Sequence, residues 1–131
     1  MPSAEGQAEG AVPAIVRGGI HWVGSAAASG SVAGVDHPHV VVQDDVFNRS
    51  RIHTVIVCAL TSNLGRAGEP GNVLLDDGEV NLPRRSVVVV SQVLSIDKQD
   101  LGGHIGTLSD RRVDQIVAGM RFQQKAYFDG R

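Results

Sequence analysis

Residues 86–110 read SVVVVSQVLSIDKQDLGGHIGTLSD, and this stretch decides the fold. It opens on Ser86–Val93, a short β-branched run of the kind that fills a buried strand. A short helical segment fits Asp97–Leu101, and Gly102-Gly103 then separates it from HIGTL at 104–108, a further strand. Ser109 is a suitable N-cap, and Asp110 complements the dipole of a helix that begins there. Val113, Ile116, Val117 and Met120 follow at i, i+3, i+4 and i+7, one helical face. The spacing predicts a helix over about 110–126.

Working back from there, the same strand grammar repeats. HVVVQ (39–43), TVIVCAL (54–60) and NVLL (72–75) are short and rich in β-branched residues. IVRGGIHWV (15–23) reads as a first strand, with Gly18-Gly19 marking a bulge or bend. Turn residues separate the runs at Asp44-Asp45, Gly68–Gly71, Asp77-Gly78 and Leu82-Pro83. Residues 24–38 are small, Gly-rich and nearly uncharged, long for a loop in a compact domain. Residues 1–14 read as a flexible tail, leaving 15–131 as one domain. The expected class is mainly β with a C-terminal α-helix: a small, strongly bent sheet or barrel that the helix closes. The Val runs are too apolar for one-sided exposure, so the sheet curls on itself or a partner covers one face.

Composition narrows the function. The chain has 131 residues, 42% hydrophobic and 20% charged, which suits a globular domain. Twelve Lys and Arg against 14 Asp and Glu leave a net charge of −2, which argues against a highly basic nucleic-acid coat protein. A local basic groove stays open. The tail carries Glu5 and Glu9 and no base, so the remainder is balanced, and Arg49, Arg51, Arg66, Arg84 and Arg85 fall in loops beside the strands. A single cysteine, Cys58, excludes an intrachain disulfide and a multi-cysteine zinc site. No apolar run approaches the roughly 20 residues that span a bilayer, and the first residues lack the positive n-region of a secretory signal. A cytoplasmic protein with no membrane partner is the expectation.

Several residues are candidates for chemistry. Thr61-Ser62-Asn63 follows an apolar strand directly, where a hydroxyl at a barrel rim is well placed for a site; from spacing alone, hydroxyls bonding the turn backbone explain it better. His37 and His39 flank Pro38 and offer acid–base chemistry. As metal ligands they form a weak i, i+2 signal. His39 equally suits a partly buried strand residue, and His53 and His104 the surface or a strand edge. His21 and Trp22 point to opposite faces of their strand. Cys58, inside its apolar run, reads as a small inert hydrophobe. The glycine pairs form no GxGxxG or phosphate loop, so no nucleotide cofactor is indicated. Arg49, Arg51 and the pair Arg84-Arg85 are either solvated surface or phosphate contacts. Arg111 and Arg112 sit poorly against the dipole at the start of the last helix.

Taken together, VRGGIHWV (16–23), VVVQDDVFNRS (40–50), TVIVCALTSN (54–63), PGNVLL (70–75) and the stretch at 86–110 resemble the MazF/PemK-type toxins of bacterial toxin–antitoxin systems. The resemblance covers about residues 16–126. It implies an SH3-like β-barrel with a C-terminal helix, as a homodimer. It also implies a sequence-specific endoribonuclease that needs no metal or other cofactor and cuts single-stranded RNA, commonly mRNA. In such a reaction the ribose 2′-OH attacks the adjacent phosphorus, giving a cyclic phosphate and a 5′-OH end. RNA supplies its own nucleophile, so the protein must supply a proton acceptor, a proton donor and donors for the phosphorane oxygens. The implied partner is an acidic antitoxin that lays a partly disordered segment across the RNA groove.

The site residues carry over unevenly. The family's threonine matches Thr61. Its serine matches Ser31, after Gly30, but the following Glu-Gln is Val32-Ala33 here. Its catalytic arginine, just before a proline and an apolar strand, is His37 before Pro38. The acidic residue of the first strand is Gly19, the acidic stretch after that strand is Gly24–Ala27, and the arginine in the fifth run is Leu94. Thr61, His37 and Ser31 are thus the expected catalytic set, with Arg17, Ser62, Asn63, Arg49, Arg51, Arg84 and Arg85 expected on RNA. Imidazole does not replace guanidinium, which is permanently charged and forks across phosphate oxygens. Two alternatives follow from the departures: a weak or inactive relative that binds RNA or an antitoxin without cutting, and a gyrase-targeting toxin on the same fold.

Overall fold

A computed structural model of the chain describes residues 14–24 and 36–129, with side chains described through residue 124. Most of the expected tail, and most of the 24–38 loop with Ser31, lie outside the described residues.

Six strands form one antiparallel sheet: β1 (Gly19–Val23), β2 (His37–Val41), β3 (Thr54–Thr61), β4 (Val73–Leu74), β5 (Val87–Asp97) and β6 (His104–Thr107). Their order is β4-β5-β3-β2-β1-β6. Among the described residues there are two α-helices, α1 (Asp45–Asn48) and α2 (Asp110–Asp129). The expected β class and C-terminal helix are present, and the short segment near 97–101 is a 3₁₀ turn at Lys98–Asp100.

The sheet curls because β5 is bent. Cys58 pairs with Val93 and Leu60 with Val88, so β5 advances five residues while β3 advances two. The three extra residues form a bulge, which bends a strand and raises its twist. Burial on both faces follows. Val40, Cys58, Val88 and Val90 pack with Val113 and Ile116 of α2. Val23, Val41, Val55, Val57 and Ile96 form a second cluster. Neighbours such as Val40 and Val41, or Val57 and Cys58, fall into different clusters, as alternation along a strand requires. The uninterrupted Val runs are therefore strands buried on both sides.

The barrel is open between its edge strands β4 and β6. The 3₁₀ turn Glu79–Asn81 rests on β6 there. Val80 (φ 47) and Asn81 (φ 66) occupy the left-handed region, which a β-branched residue adopts only at a cost of about 1–3 kcal/mol. Packing offsets that cost, because the Val80 side chain joins Leu82 and Leu108 in the core. A Cβ at Gly106 would overlap the Val80 carbonyl, so only glycine lets the turn lie this close to β6.

Helix α2 docks backbone to backbone: a Cβ on Gly119 would overlap the Gly71 carbonyl oxygen. The awkward arginine at its start is paired. Arg112 donates from Nε and Nη2 to the Glu79 carboxylate at 3.0 and 3.1 Å, and from Nη1 to Gln115 Oε1 at 3.0 Å. A bidentate fork of this kind outweighs the dipole term. Helix α1 was expected only as a turn. Asp44 caps its start by accepting from Val46 N at 2.8 Å. Lys98 closes its end, its ammonium donating to the Asn48 and Ser50 carbonyls at 3.1 Å each.

The main correction concerns β2. The sequence suggested a loop to residue 38 and a strand over 39–43; the strand runs 37–41, with Pro38 opposite Trp22 and His37 opposite Val23. Pro38 fits because pairing with β3 begins only at His39, so it lies outside that ladder.

Candidate active site

The register of β1 on β2 and the end of β3 bring the candidate residues together. His37 stands at the exposed start of β2, beside Pro38. Thr61 ends β3 and Ser62 follows it. The segment entering β5 supplies Pro83, Arg84 and Ser86. These residues, with Trp22, Asp36, Pro38 and Leu60, line a cavity of about 310 Å³. Four of the expected site residues therefore meet in one place: His37, Thr61, Ser62 and Arg84.

Local chemistry fixes the orientation of the threonine. Its Oγ1 accepts the Asn63 N–H at 3.1 Å, which leaves the hydroxyl proton free to donate elsewhere. The turn-bonding reading of this hydroxyl thus holds, and the same bond aims it. Ser86 is buried and donates to the Arg84 carbonyl at 2.9 Å, holding the backbone that carries the guanidinium. Arg84 is exposed, and no carboxylate among the described residues forms an ion pair with it. It is the only Lys or Arg among the described residues lining the cavity.

The other candidates lie elsewhere. Asn63 caps the 3₁₀ turn 64–68, its Oδ1 accepting from Gly65 N. Arg85 donates from Nε to the Leu75 carbonyl at 2.8 Å. Arg17 reaches Asp114 at 3.5 Å, while its backbone N–H donates to Asp45 Oδ1 at 2.7 Å. That N–H, together with the Asn48 amide, holds the Asp45 carboxyl below its usual range. Arg49 and Arg51 are exposed just after α1. Trp22, Leu60 and Pro83, which line the cavity, were not singled out as site residues in the sequence. Leu60, next to Thr61, had that neighbour as a hint; Trp22 had none.

The histidines sort by burial. His37 and His39 are two apart on one strand, so they share a face, yet only His39 is buried, at 4% exposure. Pro38 does not break the alternation. His39 lies directly opposite His21, which is 2% exposed. His39 Nδ1 donates to the His37 carbonyl at 3.1 Å, and His21 Nδ1 to the Gly102 carbonyl at 3.0 Å. His21 Nε2 is buried without a partner. Burial is the main cause that lowers both imidazoles from the usual 6.5, against the backbone bonds that raise them; the nearby His104 and His37 lower them a little more. His104 packs edge-on against His21, centroids 5.3 Å apart. No group of three or more His, Cys, Asp or Glu among the described residues is arranged to hold a metal ion. Cys58 is buried, its Sγ–H donating to the Val89 carbonyl at 3.0 Å, and desolvation pushes its thiol up to about 12.

Residues 16–123 match the family described as PemK-like, MazF-like toxin of type II toxin–antitoxin system. The chain belongs to this family. It is 36% identical over 107 residues to endoribonuclease MazF6 of Mycobacterium tuberculosis, covering 82% of this chain and 94% of that protein. To endoribonuclease EndoA of Bacillus subtilis it is 32% identical over 102 residues, covering 78% and 87%. Among solved structures, an endoribonuclease from a mycobacterial species superposes with a TM-score of 0.68 at 17% identity, covering 88% of this chain and 95% of that one. At that identity the likeness speaks for the fold. Within this MazF-like scaffold His37 and Arg84 line the same cavity.

Proposed function

We propose that the chain is the toxin of a toxin–antitoxin pair and a metal-independent endoribonuclease that cuts single-stranded RNA. The observation that carries this is the meeting of the His37 imidazole, the Thr61 and Ser62 hydroxyls and the Arg84 guanidinium in one cavity that Asp36 and Ser86 also line. In the proposed reaction His37 takes the proton of the ribose 2′-OH as that oxygen bonds to phosphorus. Thr61 and Ser62 donate to the phosphorane oxygens, and Arg84 balances the charge that develops there. The P–O5′ bond then breaks, and water at the open rim protonates the departing oxygen. The products are a cyclic phosphate and a 5′-OH end. Ser31 is proposed to assist from the 24–38 loop, and Arg17, Arg49, Arg51, Asn63 and Arg85 to guide the flanking RNA across the surface.

A mycobacterial endoribonuclease of this fold has been solved in complex with its cognate antitoxin, with a TM-score of 0.66. An acidic antitoxin is the proposed partner here, crossing the same cavity. A second copy of the chain is the other proposed partner. Ile56 and Val93 are 39% and 38% exposed and are diagonal neighbours on β3 and β5, an apolar strip suited to a homodimer. Among the described residues no helix is long and apolar enough to cross a membrane. Work in the cytoplasm, where RNA is met, is part of the proposal, as is a 1–14 tail outside the folded domain.

Long single-stranded RNA incubated with the purified chain in EDTA tests the reading. Discrete cuts ending in cyclic phosphate are expected, with loss of cutting in His37→Ala, Thr61→Ala and Arg84→Ala. Equal cutting by wild type and all three variants would overturn the site assignment. Salt-dependent RNA or antitoxin-peptide binding without cuts would favour the inactive relative.

A further inference from the structure

We infer that Trp22 is the platform on which the nucleobase beside the scissile phosphate stacks. The inference rests on the ribonuclease reading and assigns a binding residue to it. Trp22 is the one tryptophan of the chain. It lines the cavity together with Pro38, Leu60 and Pro83, whose side chains carry no hydrogen-bonding group. The cavity thus combines two chemistries: polar side chains, Asp36, His37, Thr61 and Arg84 among them, and apolar ones that include the indole.

The apolar part is built rather than incidental. Trp22 is half-buried and pairs across the sheet with Pro38, the residue next to His37. Its backbone is held on the other side by Gly102-Gly103: Trp22 N donates to the Gly103 carbonyl at 3.0 Å, and Gly102 N donates to the Trp22 carbonyl at 2.7 Å. A Cβ on Gly102 would stand 2.7 Å from the Trp22 carbonyl oxygen and 3.4 Å from its Cβ, so a larger residue would push this support away. A Cβ on Gly103 would lie 3.7 Å from the indole Cδ1. Glycine at 102 therefore lets this segment come close enough to hold the Trp22 backbone at the cavity.

A flat apolar wall next to phosphate-handling groups matches one half of a nucleotide each. Single-stranded RNA is recognised by splaying bases onto aromatic faces, while positive groups follow the backbone. Arg84 serves the phosphate and Trp22 the base that leads to it.

The single tryptophan makes the test direct. A short 2′-O-methyl RNA cannot be cut, because its nucleophile is blocked. Titrating it into the wild-type chain should quench Trp22 emission to saturation. Fluorescence anisotropy of the labelled RNA should show Trp22→Leu binding about five- to 150-fold more weakly, the range expected for one stacked base. Trp22→Phe should keep most of the affinity, and the salt dependence should be unchanged in both. Wild type that binds and cuts RNA while its emission stays constant at saturation would overturn the platform alone. So would Trp22→Phe losing as much affinity as the leucine variant while circular dichroism shows it folded. Wild type that neither binds nor cuts RNA would overturn the ribonuclease reading, and the platform with it.

Discussion

Mild acid should destabilise this fold through two buried histidines. His21 and His39 face each other across β1 and β2, nearly without solvent, and burial lowers both from 6.5. Protonation of His21 would place an N–H at Nε2, an atom that has no partner. In the window below 6.5 the unfolded chain therefore holds protons that the folded chain does not. Stability is fully present above 6.5 and is lost as pH falls toward the folded-state values.

The size of the loss follows from linkage. An imidazole that stays neutral in the fold contributes a slope of about 1.4 kcal/mol per pH unit once its unfolded counterpart is charged. Between about pH 7.5 and about pH 5.5 that amounts to about 1.4 kcal/mol for each histidine, so at most about 2.7 kcal/mol for the pair. A domain of ordinary stability holds about 5–15 kcal/mol, so the effect is large. The window is free of the perturbed carboxyl of Asp45, which is lowered from 3.8 and acts only in stronger acid. Urea unfolding followed by Trp22 emission and circular dichroism at the two pH values measures it. The midpoint should be lower at the lower pH, with little change in slope. His21→Gln and His39→Gln should each remove part of the pH dependence, and the double variant most of it, whatever they do to stability at neutral pH. An unchanged midpoint in wild type, or a double variant with the full wild-type pH dependence, would refute the reasoning.

Three further outcomes are expected. With its thiol at about 12, Cys58 should resist a disulfide reagent at mildly alkaline pH in the folded chain and react promptly in urea; rapid labelling of native protein would contradict its burial. Gly106→Ala should lower stability by about 1–3 kcal/mol, because the new methyl meets the Val80 carbonyl and forces the seam apart; an unchanged melting curve would show the seam to be soft. Arg112→Ala should cost about 1–2 kcal/mol, with Arg112→Lys recovering little, since lysine cannot fork across Glu79; equal stability of the alanine variant would mean that the pair is spent on desolvation.

Strands and helix were legible because their signals are local. A β-branched run, an N-cap and an i, i+3, i+4, i+7 stripe each act within a few residues, and β3, β5 and α2 emerged near their expected places. What the sequence hid depends on partners far away along the chain. The five-against-two step of β5 on β3 leaves no mark in the Val run that contains it. Pro38 reads as a strand breaker until the register shows that it lies outside the β3 ladder. Arg112 reads as misplaced until Glu79 appears beside it. The cavity was half legible for the same reason. His37 and Thr61 were expected there through the family resemblance, whereas Trp22 and Pro83 line the cavity only because folding brings them there.

On the proposed reading, His37 stands where the resemblance expects an arginine. A guanidinium can neutralise a phosphate and donate to it at any physiological pH; an imidazole can move a proton but holds charge only in acid. On the proposed chemistry the two tasks are separated, with proton transfer at His37 and charge at Arg84. A residue at the start of β2 and one in the segment entering β5 replace a single residue only if both line the same space. The sheet meets that condition through backbone geometry: β2 starts at residue 37 because Pro38 pairs with Trp22, and the buried Ser86 hydroxyl holds the carbonyl of Arg84. The net charge of −2 is no obstacle to such a site. Attraction for a short single strand depends on the few cations that face it, and Arg84 faces the cavity with no carboxylate among the described residues paired to it.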